Sequence, residues 1–260
     1  MLITKALAAR MEACIKQTHI EVTRQYSHGT LLEINGGAAC FSGFDSFLSQ
    51  VVGWGFATKA KEMKAEIERI EHFYHSLNHK RVDIELCPYT GQQLGAFLSQ
   101  RGYKISELNN ISALDVTKWQ WIELDEEQFT IQKISPDEFT EWSKRIAKGF
   151  GYPEAQEQFF HYINARGSSA FAVYDNGQIV AGATIAMHGS VCDLGVTSTL
   201  PLYRGKGLQK KLIAARLNFA SQNNMEIATV TTEPGSVSDL NVQKAGFRSA
   251  YTRIKMTLEQ

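Results

Sequence analysis

The run Thr199-Leu-Pro-Leu-Tyr-Arg-Gly-Lys-Gly-Leu-Gln209 passes straight into Lys210-Lys-Leu-Ile-Ala-Ala-Arg-Leu-Asn-Phe-Ala220, so a strand end, a glycine loop and a helix start follow one another. That succession makes an anion cradle. Val191 to Thr199 reads as the strand, Gly205 and Gly207 let the backbone turn its N–H groups inward, and the helix that follows contributes the positive end of its dipole. A pyrophosphate fits such a cradle. Arg204, Lys206, Lys210 and Lys211 add positive charge at the same place, although a solvated helix start carries such residues equally well.

Downstream, Met225 to Thr232 reads as a second apolar strand, Glu233-Pro-Gly-Ser236 as a turn and Val237 to Ala245 as a short helix, closing on Lys244-Ala-Gly-Phe247. The loop resembles the Arg/Gln-x-x-Gly-x-Gly/Ala signature of the GNAT acyl-CoA N-acyltransferases through Arg204 and Gly207. Gln209 departs from it, standing where that family has Gly or Ala. The closing Lys-x-Gly-Phe resembles a second motif of the same family, and the resemblance covers residues 130 to 260.

The resemblance implies acetyl-CoA as cosubstrate, no metal, and direct acetyl transfer to an amine. Ser198, Thr199 and Leu200 are then expected to meet the pantetheine arm through main-chain hydrogen bonds, as an added strand would. Arg204, Gly205, Lys206, Gly207, Leu208 and Gln209 are expected to hold the pyrophosphate, with Lys206 turned to solvent or to the nucleotide phosphates, and Asn241 to touch the arm. A carboxylate is needed near the amine. Asp193, which precedes Arg204 by 204 − 193 = 11 residues, is the first candidate base, by its likeness to the catalytic glutamate of histone-type members; Glu233 is the second. Val242 occupies the position where many members carry a tyrosine acid. Phe150, Tyr152 and Tyr162 belong to the segment that walls the acceptor pocket in the family. The alternative reading is a non-catalytic acyl-CoA-binding regulatory module.

Lys plus Arg number 27 and Asp plus Glu 27. That balance removes the electrostatic case for nucleic acid or an anionic membrane as the main partner, and points to a small amine acceptor. It leaves oligomerisation open. Cys14, Cys40, Cys87 and Cys192 are isolated, with no CxxC pair, and no apolar run approaches the length of a membrane span. A reducing, cytoplasmic location is expected. His72, His75 and His79 recur at helical spacing, but nearby positive charge and a helix C-terminus account for them without a metal.

The elements that must position these residues follow from periodicity. Met1 to Gln17 and Lys59 to Leu77 read as helices, and Gly29 to Glu33 and Gly36 to Phe41 as a hairpin about Asn35-Gly36. Asp45 to Phe56 is ambiguous. Arg81 to Leu86 reads as a strand, Leu94 to Arg101 as a helix and Ile105 to Val116 as one or two strands. Thr130 to Ile134 opens the second half, Ser135 and Glu138 have capping-box form, and helices are expected over 136–148 and 153–165. Phe171 to Tyr174 and Gln178 to Met187 form a hairpin about Asn176-Gly177.

Gly102-Tyr103 and Gly246-Phe247 stand 246 − 102 = 144 residues apart, and the same offset carries Val82–Cys87 onto Glu226–Thr231 and Leu94–Gln100 onto Ser238–Lys244. The halves share a plan. They do not share the loop, because Val52-Gly-Trp-Gly-Phe56 lacks the Arg/Gln-x-x-Gly spacing and places an indole where a phosphate needs room. The expected architecture is therefore α/β (α+β): two tandem GNAT-like domains, each a mixed, mostly antiparallel sheet flanked by helices. Residues 1–122 are the degenerate copy, residues 123–260 bind acetyl-CoA, and the junction over 117–127 is not a free hinge.

Overall fold

A computed structural model describes residues 1–44, 46–124 and 128–259. The first half runs α1 (Lys5–Thr23), β1 (Thr30–Ile34), β2 (Gly37–Phe41), β3 (Val51–Val52), α2 (Met63–Ser76), β4 (Arg81–Leu86), α3 (Gln92–Gln100) and β5 (Lys104–Asp115). The second runs β6 (Thr130–Lys133), α4 (Phe139–Phe150), α5 (Gln156–Asn164), β7 (Ser168–Asp175), β8 (Gln178–His188), β9 (Val191–Asp193), β10 (Thr197–Thr199), α6 (Leu208–Gln222), β11 (Ile227–Thr232), α7 (Val237–Lys244) and β12 (Arg248–Glu259).

Contacts divide the chain into two compact units. One comprises Leu2–Ile111, Thr232–Pro234 and Ser249–Gln260; the other comprises Met1, Ser112–Thr231 and Gly235–Arg248. The last strand thus belongs to the unit of the first half, where β12 pairs antiparallel with β4 from Ile254↔Leu86 to Glu259↔Arg81. The 144-residue offset carries β5 onto β12 end for end, so the repeat held the signal for a strand that local pattern reading passed over. We retain 122/123 as the proposed boundary between the repeats; the compact units interleave across it. Asp125–Glu127, within the expected junction, lie outside the described residues. The residues before them are pinned: Asn218 of α6 accepts from Trp119 Nε1 at 2.9 Å and donates to the Ile122 carbonyl at 2.8 Å.

In the second-half unit, β6, β7, β8 and β9 are antiparallel neighbours and β11 joins β9 in parallel. Alternation along β7 divides the core. Ala170 and Ala172 pack with Trp142, Ile146 and Ile163 from α4 and α5, whereas Phe171 and Val173 pack with Leu212 and Leu217 from α6. The hairpin turn Asn176-Gly177 has φ +49° and +75°, as its residue types require. The expected capping box is present, with Ser135 N–H donating to Glu138 at 3.2 Å, and α4 begins only after a 3₁₀ turn over Pro136–Glu138.

The first-half unit repeats the layering on β1-β2-β3-β4-β12-β5. Ala38 and Cys40 meet Ile20 of α1, while Ala39 and Phe41 meet Ile67 and Ile70 of α2 and Leu94 and Leu98 of α3. Beneath α1 lies a buried charged cluster. Glu12 accepts from Tyr251 at 2.7 Å and from Arg253 at 3.1 Å, and Glu85 stands 3.6 Å from Lys255, all five side chains being buried. Burial raises the Glu85 carboxyl above its ordinary range.

His19 borders this cluster. Its Nδ1 donates to the Ile15 carbonyl at 2.9 Å and its Nε2 accepts from Gln50 at 3.0 Å, so the ring is held neutral. Burial pushes its pKa down from 6.5 to about 4. Because the folded value is depressed, the stabilisation is present above pH 6.5 and is lost as pH falls towards 4. Wild type should lose about 3 kcal/mol more than His19→Gln across that window. Urea titrations at several pH values check this, and parallel slopes for the two proteins would contradict it.

No helix among the described residues is long and apolar enough to cross a membrane. His72 and His75 are exposed on α2, whereas His79 is buried beyond its end between Phe41 and Tyr74, so the three do not share a face. Cys87 is buried, and burial raises its thiol to about 12, which keeps it protonated and unreactive.

Candidate functional site

The segment 191–199, expected as one strand, is two. β9 keeps its parallel partner β11 up to the rung Leu194 N–H to Thr229 carbonyl at 2.8 Å. Beyond it, among the described residues, β10 pairs only with β8. A strand that keeps one neighbour and loses the other presents an open row of backbone groups. Register decides which. Thr184 N–H donates to Val196 at 2.8 Å and Leu200 N–H to Val180 at 2.9 Å, so Val196, Ser198 and Leu200 spend their backbone groups on β8. Thr197 and Thr199 therefore face the gap. This corrects the expectation for Ser198 and Leu200, whose amides are turned the other way, and adds Thr197; period-2 alternation could have found it had the strand partner been known. Ser198 still borders the gap through its side chain, and a Cβ on Gly149 would collide with its Oγ, so a glycine in α4 is what permits this approach.

From the open edge the chain makes a 3₁₀ turn over Pro201–Tyr203 and enters the loop. Gly205 and Gly207 adopt φ +78° and +76°, a region costly for side-chain-bearing residues. Gly207 is the N-cap of α6, and Lys210 N–H returns to its carbonyl at 3.0 Å. Leu208 and Gln209 precede that first bond, so their N–H groups have no carbonyl within the helix to reach, and both residues line the cleft. Arg204 borders that space with its guanidinium committed to protein. Its guanidinium donates to the Gly149 carbonyl at 2.8 Å and to the Thr199 carbonyl at 3.3 Å, clamping the end of α4, the open edge and the loop together. Lys206 lies over the Tyr203 ring at 5.0 Å, rather than directed only to solvent or phosphate.

These elements enclose a cleft of about 730 Å³. Of the residues expected to bind cofactor, Ser198, Thr199, Arg204, Gly205, Gly207, Leu208, Gln209 and Asn241 line it; Leu200 and Lys206 do not. Phe150 lines it too, stacked on Phe159 at 5.3 Å, whereas Tyr152 is exposed and Tyr162 buried outside its wall. Sequence reasoning missed Ser238, which borders the cleft one helical turn before Asn241 on α7.

Neither candidate base lines the cleft. Asp193 is buried at the last rung before β9 and β11 part, and its charge acts on Arg216. Burial lowers the Arg216 guanidinium to about 10 while Asp193 opposes that fall, and Arg216 also donates to the Thr184 carbonyl at 2.9 Å. Glu233 is exposed and falls in the first-half unit. Val242 is only 2% exposed and packs into the core, so position 242 offers the cleft no acid.

The corresponding segment of the first half, Val52 to Phe56, is closely packed. Trp54 is buried and donates to Glu66 at 2.6 Å, and a Cβ on Gly55 would come within 2.5 Å of Leu94 and 3.0 Å of Thr90. Protein side chains fill the surroundings of Trp54 and Gly55.

The sequence profile described as the acetyltransferase (GNAT) family matches residues 121–247. No curated protein matches the chain. Among solved structures, the chain is similar to a GCN5-related N-acetyltransferase from Kribbella flavida at 14% identity and TM-score 0.70, covering 95% of each chain. It is also similar to a tandem GNAT protein from the clavulanic acid biosynthesis pathway, at 13% identity and TM-score 0.65, covering 98% of this chain and 94% of that one. A GCN5-related N-acetyltransferase from Sphaerobacter thermophilus gives 13% identity and TM-score 0.65, covering 97% and 91%. At these identities the likeness is one of fold, and it extends over both halves.

Proposed function

We propose, from the premise that residues 121–247 match the acetyltransferase (GNAT) family, that the second half of the chain binds acetyl-CoA and transfers the acetyl group directly to an amine of a small acceptor. The observation that carries the reading is one continuous cleft in which an anion-binding loop and a row of open strand amides adjoin. The diphosphate would lie on the N–H groups of residues 205–209, and the arm would run along Thr197 and Thr199 towards the point where β9 and β11 part.

In the proposed reaction the acceptor nitrogen attacks the thioester carbonyl, the N–C bond forms and the C–S bond breaks. The amine loses a proton and the leaving thiolate gains one. Asp193 is the proposed proton acceptor, reached through water, since it sits four residues before β10 begins. Because its charge also balances Arg216, its test must separate chemistry from folding. Asp193→Asn should lower turnover about 100-fold while leaving coenzyme A affinity within about twofold. Equal losses of affinity and turnover would assign Asp193 to structure alone. The first half is proposed as a scaffold.

A second reading, a non-catalytic acyl-CoA-binding module, is favoured by the burial of Val242 where an acid would serve. Calorimetry with acetyl-CoA and thiol release across a panel of small amines distinguish the two. Binding with release supports transfer, and binding without release supports the module.

A further inference from the structure

Gln209, the residue that breaks the loop signature, spans the cleft floor with its side chain. Its Nε2 donates to Ser238 Oγ at 2.8 Å, and its Oε1 accepts from Asn241 Nδ2 at 2.6 Å. A glycine or alanine at this position would reach neither. Building on the cofactor reading above, we propose that Gln209 is a positioning residue that sets Ser238 as a hydrogen-bond donor and Asn241 as an acceptor towards the cleft, so that the pair reads a secondary amide of the pantetheine arm.

Hydrogen-bond capacity supplies the argument. A serine hydroxyl has one proton and two lone pairs, and here a lone pair receives Gln209, which leaves the proton to be given elsewhere. A primary amide has two donors on nitrogen and an acceptor on oxygen; when Asn241 turns its nitrogen to Gln209, its Oδ1 turns away. Ser238 and Asn241 are three residues apart on α7, on one face, and both border the cleft. A donor and an acceptor one turn apart match the C=O and N–H of a secondary amide, a group found in the arm and not in the nucleotide. Asp239, between them, is buried and accepts from Gly235 N–H at 3.2 Å and Gln243 at 3.1 Å, which holds the start of α7 in place. The bulk at position 209 thus joins α6 to α7 and gives the helix pair a fixed polar pattern.

The test compares two probes by calorimetry on the full chain, coenzyme A and 3′-phospho-ADP, the second carrying the diphosphate without the arm. Gln209→Met, close in size and unable to bond, and Gln209→Ala should each weaken coenzyme A about tenfold, the worth of one or two hydrogen bonds, and leave the nucleotide unchanged. Asn241→Ala should weaken coenzyme A similarly, and adding Gln209→Met to it should cost little more. Equal loss for both probes, fully additive losses, or unchanged coenzyme A affinity in Gln209→Met would overturn the assignment. Failure of the wild type to bind either probe would instead remove the cofactor reading on which it rests.

Discussion

Replacing Arg204 with alanine is expected to weaken coenzyme A binding by about thirtyfold. The side chain spends its charge on two carbonyls, Gly149 at 2.8 Å and Thr199 at 3.3 Å, so the loss comes through loosened geometry as well as through the missing cation. Hydrogen bonds to a charged group are worth roughly 1.5–3 kcal/mol each when buried, and the exposure of Arg204 brings the pair down to roughly 2 kcal/mol together. Arg204→Lys keeps the charge but cannot span both carbonyls with a planar fork, and should recover only part of the loss. Calorimetry at two ionic strengths checks the division: a purely electrostatic role would make lysine equal to arginine and the whole effect sensitive to salt.

The second large effect concerns folding. Glu12→Ala should destabilise the protein by about 3–5 kcal/mol, because it strips Arg253 of a carboxylate at 3.1 Å and Tyr251 of its acceptor in a site closed to water. Glu85, 3.8 Å from Arg253, compensates only in part. The midpoint of thermal unfolding should fall by about 10 °C. Glu12→Gln keeps an acceptor for Tyr251 and loses the charge, so it should fall between. A loss under about 1 kcal/mol in Glu12→Ala would show that water enters the cluster, and the buried-pair account would fail.

The parts legible in the sequence were those governed by local rules. Asn35-Gly36 and Asn176-Gly177 gave their hairpins, Ser135 with Glu138 gave its cap, and the glycine loop before α6 stood where a strand-to-helix junction required. Tertiary partnership decided the rest. Val191 to Thr199 has the composition of one strand, and nothing local says that β11 leaves it after Leu194. That single departure turns Thr197 and Thr199 to the gap and Ser198 and Leu200 away from it. The role of Gln209 was invisible for a similar reason, since its partners Ser238 and Asn241 lie 29 and 32 residues ahead. Spacing from Arg204 placed Asp193 early on the expected strand, yet spacing could not show its buried neighbour Arg216, which stands on the helix that follows.

A crystal structure of the full chain with coenzyme A tests the central claim most directly. The account predicts diphosphate oxygens about 3 Å from main-chain nitrogens between residues 205 and 209, with the arm extended along Thr197 and Thr199. A diphosphate bound anywhere else on the chain, or an arm that leaves the open edge of β10 untouched, would contradict it.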